Sequence, residues 1–300
     1  MTALALAALA LALSLVAPVV LVRLPFLRDV PRAAVTLWQA CALAAVLAAV
    51  GAALAAPEEV LRALQGDDLA HDAWLLAAAS TAALLAGWIV FRLVSTTIRL
   101  GVGLRRRRRR QHEVLELLAT TSPSDARLNV LGGSVALAYC VPGRPSRVVV
   151  TEAVVDLLTL PQVEAVVEHE RGHLRARHDL VLEGFTALHA SFPRFVRSRL
   201  ALEEVRLLLE MLADDAATRR TGAAPLEAAL VLLEPTTEGD QVRVRRERVA
   251  RLAGRDGEGA ASRRRLVSGL AYVLAVGVIA VPTVTIVTPW LQAATAALGW

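Results

Sequence analysis

Long uncharged apolar blocks alternate with charged segments in the first third of this chain, and one more such block lies near its C-terminus. Each block is long enough to cross a bilayer, which takes about 20 residues. The blocks run from Thr2 to Val22, Ala33 to Ala56, Ala73 to Phe91, and Leu266 to Pro289. No basic residue precedes the first block, unlike in a secretory signal peptide, so the pattern predicts four retained transmembrane helices.

The charges between these blocks predict how the helices are oriented. Basic residues follow the first block, acidic residues lie between Glu58 and Asp72, and the run Arg105–Arg110 follows the third block. Because basic loops stay on the cytoplasmic side, we expect the N-terminus and the acidic loop outside and the segment after the arginine run inside. The fourth helix then returns the C-terminus to the outside.

This arrangement predicts three parts. Residues 1–104 hold three transmembrane helices at about 2–22, 33–56 and 73–94, residues 105–265 form one cytoplasmic domain, and residues 266–300 form the fourth helix with a short external tail. The predicted fold class is therefore a membrane α-helical protein with four transmembrane helices and an inserted cytoplasmic domain that is large enough for its own core.

Within the cytoplasmic domain, turn signals and apolar periodicity predict a small antiparallel sheet followed by helices. The sheet is expected between Leu128 and Val150, and the helices at about Pro161 to Arg177, Leu200 to Thr218 and Gln241 to Leu252, with a flexible link from Gly254 to Ala261. The strand edge at Arg147 to Thr151 is the predicted place for an extended substrate.

The arginine run supplies most of the net charge of +5 at pH 7. Six consecutive arginines are compatible with nucleic-acid binding. Their position just after an apolar block is more typical of a cytoplasmic anchor that is attracted to anionic lipid. We therefore expect the lipid bilayer as a partner and no direct binding to nucleic acid.

The pentapeptide His169-Glu170-Arg171-Gly172-His173 lies within a predicted helix and has the form H-E-x-x-H. Residues four apart lie on one face of a helix, so both imidazoles can bind one metal ion. Glu170 projects from nearly the same side, where it can take a proton from metal-bound water. The motif predicts a zinc peptidase with one Zn²⁺ per chain and a protein or peptide substrate.

A catalytic zinc site usually has three protein ligands and one water. Glu210 is the best candidate for the third ligand, because it lies on the next long predicted helix. Asp214 follows four residues later on the same face, where its carboxylate can accept the N–H of a zinc-bound imidazole.

Two neighbouring residues each allow two interpretations. His178 follows His173 by five residues, and a continuous helix would turn it about 140° away, which favours capping or packing over metal binding. Gly172 costs a helix up to about 1 kcal/mol relative to alanine. It is either simply tolerated or required because another element approaches closely.

The whole plan resembles the BlaR/MecR antirepressor family of bacterial integral-membrane zinc metallopeptidases. Three helices precede the domain and one follows it, and the similar motifs are Tyr139-Cys140-Val141-Pro142-Gly143, Glu164 to His173, Arg177-His178-Asp179, and Glu210 to Ala217. The resemblance implies a zincin-like α+β core in which His169, His173 and Glu210 bind zinc and Glu170 is catalytic.

Members of that family lie in the bacterial plasma membrane and relieve a DNA-binding repressor of the BlaI type by proteolysis. The resemblance therefore implies a regulatory endopeptidase with a cytoplasmic repressor as its protein substrate. The β-lactam sensors carry a penicillin-binding domain after the last helix, whereas this chain ends at Trp300. We expect a short form that lacks this sensor domain.

Two alternatives stay open. A membrane quality-control zinc protease similar to HtpX uses the same chemistry, although residues 180–192 are less apolar than the hairpin that those proteins usually place there. A non-enzymatic membrane receptor with a structural metal is the other alternative. Glu170 argues against it, because a structural site needs no general base.

Overall fold

The computed structural model describes residues 2–63, 69–122, 125–191, 199–233, 240–254 and 260–297. The α-helices in chain order are α1 (Thr2–Leu11), α2 (Ala17–Val22), α3 (Pro31–Ala63), α4 (Leu69–Leu118), α5 (Glu152–Leu157), α6 (Leu160–Ala176), α7 (His178–Ser191), α8 (Arg199–Thr221), α9 (Ala223–Leu232), α10 (Asp240–Ala253) and α11 (Ala260–Ala297). The strands are β1 (Ala119–Ser122), β2 (Asp125–Leu131), β3 (Ala138–Val141) and β4 (Arg147–Thr151). Most of the predicted link from Gly254 to Ala261, and the chain end at Trp300, lie outside the described residues.

Two compact units divide the chain. The first holds residues 1–98, 185–204 and 265–300, and the second holds residues 99–184 and 205–264. Residues 185–204, which the hydrophobic pattern assigns to the cytoplasmic domain, thus lie in the first unit. The predicted functional division into 1–104, 105–265 and 266–300 remains a prediction.

Apolar helices dominate the first unit. Within the described residues, three helical segments are long and apolar enough to cross a membrane, namely Ala3–Val22, Pro31–Ala55 and Ala261–Thr288. They overlap the first, second and fourth predicted spans and indicate membrane association. The third predicted span, 73–94, lies within α4, where many side chains fall outside the described part of the structure. Four spans and their orientation therefore remain predictions.

Pro18 explains a π-helical turn between α1 and α2. Proline has no backbone N–H, and its ring crowds the carbonyl four residues earlier, so the regular helical ladder is interrupted near Ser14. The N–H of Ala17 instead bonds the carbonyl of Ala12, five residues earlier. The backbone widens for one turn and then continues as α2.

The second unit contains a four-stranded sheet in the order β1-β2-β4-β3. β2 pairs with β4 in parallel, and the two outer pairs are antiparallel. The prediction of an antiparallel sheet was therefore wrong for the central pair. Val148, Val149 and Val150 of β4 are all buried, and an unbroken apolar run is typical of a strand that is covered on both faces. β4 accordingly occupies the interior of the sheet, and β3 occupies its edge.

α6 packs against this sheet and begins where the capping signal predicts. The N–H of Thr159 donates to Oε1 of Gln162 at 2.9 Å, and Pro161 lies in the first turn, so the predicted capping box is confirmed. Val166 and Val167 pack in one cluster with Val148 and Val150 of β4. Another face of α6 packs against α9 and α10. The helix that carries the H-E-x-x-H motif is therefore held on two sides.

α8 lies close against α6 at Gly172. A Cβ added to Gly172 would lie 3.1 Å from Cβ of Ala216 and 3.2 Å from Cα of Ala213. Carbon atoms in ordinary contact are about 3.5–4.0 Å apart, so a side chain here would push the two helices away from each other. Of the two interpretations of Gly172, the structure supports the close approach.

We predict that Gly172→Val lowers the free energy of unfolding by about 1–3 kcal/mol, because the larger side chain overpacks the contact with the backbone of α8. Thermal unfolding of the detergent-solubilised protein measures the effect. Gly184→Val is the matched control, since Gly184 is also helical and nothing lies within 4 Å of an added Cβ there. Equal destabilisation by the two variants would contradict a specific role for Gly172.

Candidate metal centre

α6 brings His169 and His173 together as the helical spacing predicts. Their Nε2 atoms lie 3.2 Å apart. His169 is buried and His173 is partly buried. Two imidazole nitrogens that face each other at this distance have room for one cation between them and a third ligand.

Glu210 reaches this pair from α8. Its Oε2 lies 3.4 Å from Nε2 of His169, and its Oε1 lies 3.4 Å from Nε2 of His173. One ligand atom from each of the three residues lies within 4.8 Å of the others. Two imidazoles and one carboxylate are a donor set that is typical of catalytic zinc sites, so these residues fit a zinc ion.

The Nδ1 atom of each imidazole, on the other side of the ring from the metal site, also has a polar partner. Asp214, one turn after Glu210, places Oδ1 2.9 Å from Nδ1 of His169. His178 places its Nδ1 3.0 Å from Nδ1 of His173. A histidine that binds metal through Nε2 carries its proton on Nδ1, so Asp214 and His178 are positioned to accept these two N–H groups.

His178 takes this position because α6 ends at Ala176, so His178 is not part of the same continuous helix as His173. Arg177 adopts the left-handed conformation, with φ at 52°, and α7 begins at His178. This reversal brings the buried His178 ring to 4.8 Å from the His173 ring, centroid to centroid. Burial lowers the pKa of His178 to about 4, so its ring is neutral near pH 7 and can accept a hydrogen bond.

Arg248 of α10 also lies at this centre, and the sequence did not indicate it. Its Nε donates to Oδ2 of Asp214 at 2.8 Å and one terminal nitrogen donates to Oδ1 at 2.6 Å. The other terminal nitrogen lies 2.9 Å from Oε2 of Glu210. Arg251, one turn nearer the end of α10, pairs with Asp215 in the same way at 2.6 Å. Two arginines of α10 therefore fix α8 at the point where it carries the metal-site carboxylates.

The sequence around Arg248 gives only a weak indication that this arginine is buried. Arg248 lies four residues before Leu252, which is buried, so the two share one face of the helix. Arginines are dense along the whole of α10, however, and composition alone does not identify the one that becomes buried. Arg248 can be identified as the buried arginine only once the packing of Leu252 is known.

These contacts set the charges of the centre. Burial by itself raises the pKa of Asp214, but the Arg248 guanidinium and the hydrogen bond to His169 lower it to about 2. The same arginine lowers the pKa of Glu210 against the effect of burial. Burial and Arg248 act to lower the pKa of His169, but hydrogen bonds to Asp214 and Glu210 raise it to about 9. Both carboxylates are therefore anionic at neutral pH.

Glu170 lies beside this centre in a different environment. Burial raises its pKa, and the adjacent Glu210 carboxylate adds to the effect. The thiol of Cys140 on β3 lies near the Glu170 carboxylate. Burial and the nearby Glu170 carboxylate raise the pKa of Cys140, so the thiol keeps its proton. A carboxylate with a raised pKa next to a candidate zinc site is suited to proton transfer.

A groove of about 340 Å³ gives access to these residues. Its lining includes His173 and Glu210 from the centre, Cys140 from β3, and Arg108 from α4. β3 is an edge strand of the described sheet, whereas β4 has a partner strand on each side. The expectation that the edge of Arg147 to Thr151 holds a substrate was therefore wrong, because β2 and β3 cover the two edges of that strand.

Residues 104–214 match the sequence model of peptidase family M48. The matched range contains the two histidines, Glu170, Glu210 and Asp214, and it ends before α10 and Arg248. No curated protein and no solved structure matches the chain. Peptidases of family M48 are typically zinc-dependent and often membrane-bound, so the match supports a metallopeptidase.

We predict that His178→Ala lowers the affinity for zinc by about 10–100-fold, because the Nδ1–H of His173 loses its acceptor. Competition with a fluorescent zinc chelator measures the affinity. His178→Gln, which keeps a hydrogen-bond acceptor, should lose less, and His189→Ala in the same helix should lose nothing. Unchanged zinc affinity in the alanine variant would contradict this role.

We predict that Arg248→Met lowers the free energy of unfolding by about 3–5 kcal/mol, because it leaves the Asp214 carboxylate buried without its cation. Thermal unfolding in detergent measures the loss. Arg246→Met is the matched control, since Arg246 is an exposed arginine of the same helix. A similar melting temperature for both variants would show that the buried ion pair does not stabilise the fold.

Proposed function

We propose that this protein is an integral-membrane zinc endopeptidase in which His169, His173 and Glu210 bind the metal and Glu170 is the general base. The observation that carries this proposal is the convergence of two imidazoles and one carboxylate, from α6 and α8, within 4.8 Å. The M48 match over residues 104–214 supports the same chemistry.

The proposed reaction divides the work between the metal and the chain. Zinc, when bound, supplies Lewis acidity that polarises the scissile carbonyl and lowers the pKa of water. Glu170 takes a proton from the attacking water as its oxygen bonds the carbonyl carbon, and gives that proton to the amine as the C–N bond breaks. The raised pKa of Glu170 favours retention of the proton between these two steps.

The other residues of the centre position these groups. Asp214 and His178 orient the two imidazoles through their Nδ1 atoms. Cys140 lies next to the Glu170 carboxylate and favours its charged form. Arg248 offsets the two negative charges of Glu210 and Asp214. We propose that an extended peptide adds to the edge of β3, because Cys140 of this strand lines the groove together with His173 and Glu210.

A structural metal is the competing explanation of the same three residues. Structural zinc sites are closed by four protein ligands. Among the described residues, the group that converges here offers three. A buried carboxylate with a raised pKa has a use beside a catalytic zinc and none beside a structural one, which favours the enzyme over a receptor.

We further propose a regulatory role, in which the peptidase inactivates a cytoplasmic repressor of the BlaI type. The resemblance to the BlaR/MecR family supports this role, and the apolar helices are consistent with a plasma-membrane location. Incubation of the protein with such a repressor and with unfolded membrane proteins tests it. Cleavage at one site of the repressor supports regulation, whereas broad degradation of unfolded proteins supports the quality-control alternative.

We predict that Glu170→Gln lowers kcat for peptide cleavage by at least about 100-fold while zinc remains bound, because the amide cannot accept the water proton. Cleavage of a quenched fluorescent peptide and elemental analysis of the purified protein measure the two properties.

Glu210→Gln is the matched control, because it replaces the same side chain at the proposed ligand. It should lose zinc together with activity. Full activity in the Glu170→Gln protein would refute the proposed general base, and full zinc content in the Glu210→Gln protein would refute the proposed ligand set.

A further inference from the structure

A strongly basic cavity of about 630 Å³ lies in the second unit. Five arginines line it, namely Arg105, Arg108, Arg109, Arg144 and Arg177. The remaining lining residues include His112 and no carboxylate. Such a cavity attracts anionic groups, and guanidinium groups bind carboxylates through paired hydrogen bonds.

Three separate elements build this cavity. Arg105 and Arg109 lie one turn apart on α4, Arg144 lies in the turn between β3 and β4, and Arg177 lies at the end of α6. A solvated run of arginines that serves only as a membrane anchor needs no contribution from the sheet or from the catalytic helix. The convergence of three elements therefore indicates a site rather than a face of one helix.

Several cationic groups in the cavity are available to a ligand. Arg105, Arg109 and Arg144 form no ion pair with any acidic residue that the structure describes. Arg108, in contrast, lies 3.0 Å from Asp179 and 3.8 Å from Glu183, so it is held in place.

His112 adds a second kind of observation. Its Nε2 is buried and has no hydrogen-bond partner among the described residues. A buried polar atom without a partner is uncommon and indicates a group that a ligand can complete.

The cavity adjoins the groove of the metal centre. Arg108 and Pro142 line both. Leu174, which follows the proposed ligand His173, lines the basic cavity. A peptide whose scissile bond lies at the metal centre can therefore reach the arginines with side chains a few residues away.

We propose that this cavity binds acidic side chains of the peptide substrate, so that the enzyme prefers glutamate or aspartate near the scissile bond. This inference rests on the proposed peptidase function. An anionic lipid headgroup offers similar chemistry, but the continuity with the groove favours the peptide, since the two share lining residues.

The position of the cavity also limits where the acidic residues lie. Pro142, Gly143 and Arg144 directly follow the C-terminal end of β3. A peptide that adds to the edge of β3 therefore reaches the cavity with only one of the peptide's two ends. The preference for acidic residues should therefore be confined to one side of the scissile bond, N-terminal if the peptide runs antiparallel to β3 and C-terminal if it runs parallel.

The test compares quenched fluorescent peptides with one cleavable sequence and with acidic, neutral or basic residues on either side. The full-length protein is reconstituted in phosphatidylcholine nanodiscs. We expect kcat/KM to favour acidic residues on one side. The double variant Arg109→Glu and Arg144→Glu should lower kcat/KM for the acidic peptide by about two- to tenfold, as expected for two exposed ion pairs. The same variant should leave the neutral peptide unchanged.

The matched control is the double variant Arg106→Glu and Arg110→Glu. It carries the same charge change in the same arginine run, but neither residue lines the two cavities. We expect it to keep the acidic preference. Equal loss in both double variants would overturn the proposal, because net charge alone would then explain the effect.

Two further experiments distinguish a peptide site from a lipid site, and peptide binding from peptide cleavage. In nanodiscs that contain phosphatidylglycerol, the acidic preference should persist, and its loss would overturn the proposal because lipid headgroups would fill the cavity. Fluorescence anisotropy of a labelled acidic peptide on the Glu170→Gln protein compares the same variants without catalysis. Weaker binding of the acidic peptide by the Arg109→Glu and Arg144→Glu variant, but not by the control variant, supports the acidic site. If no peptide is cleaved in any experiment, that result counts against the peptidase function and not against the acidic site.

Discussion

The candidate metal centre depends on the close contact between α6 and α8 at Gly172. The residue opposite Gly172 is Ala213, which stands between Glu210 and Asp214 in the sequence. Contact at this point therefore brings one carboxylate to the Nε2 atoms of the histidine pair and the other to Nδ1 of His169. A wider separation of the two helices would move both carboxylates away together. The absence of a side chain at Gly172 thus allows both carboxylates of α8 to approach the histidine pair.

Charge balance is the second condition for this arrangement. Two buried or partly buried carboxylates so close together repel each other, and burial of isolated charges is costly. Arg248 contacts both and lowers the pKa of each, so they remain anionic. α10 therefore belongs to the centre although it provides no proposed metal ligand. This also explains why the centre extends beyond the residues that match family M48.

Local rules predicted those features that depend on spacing within one helix. The pairing of His169 with His173, and of Glu210 with Asp214, follows from residues four apart on one face. The sequence did not predict the place of Arg248, because its burial depends on packing between helices. It also did not predict the contact between His178 and His173. The helix was expected to include Arg177, but Arg177 adopts the left-handed conformation and the chain reverses there. The order of the strands was missed for a similar reason, since the buried valines of β4 draw that strand into the interior of the sheet.

Strand β3 performs two roles with the same four residues. Its outer edge has no partner strand in the described sheet, and its Cys140 lines the groove together with His173 and Glu210. One short strand therefore joins the free edge of the sheet to the surroundings of Glu170.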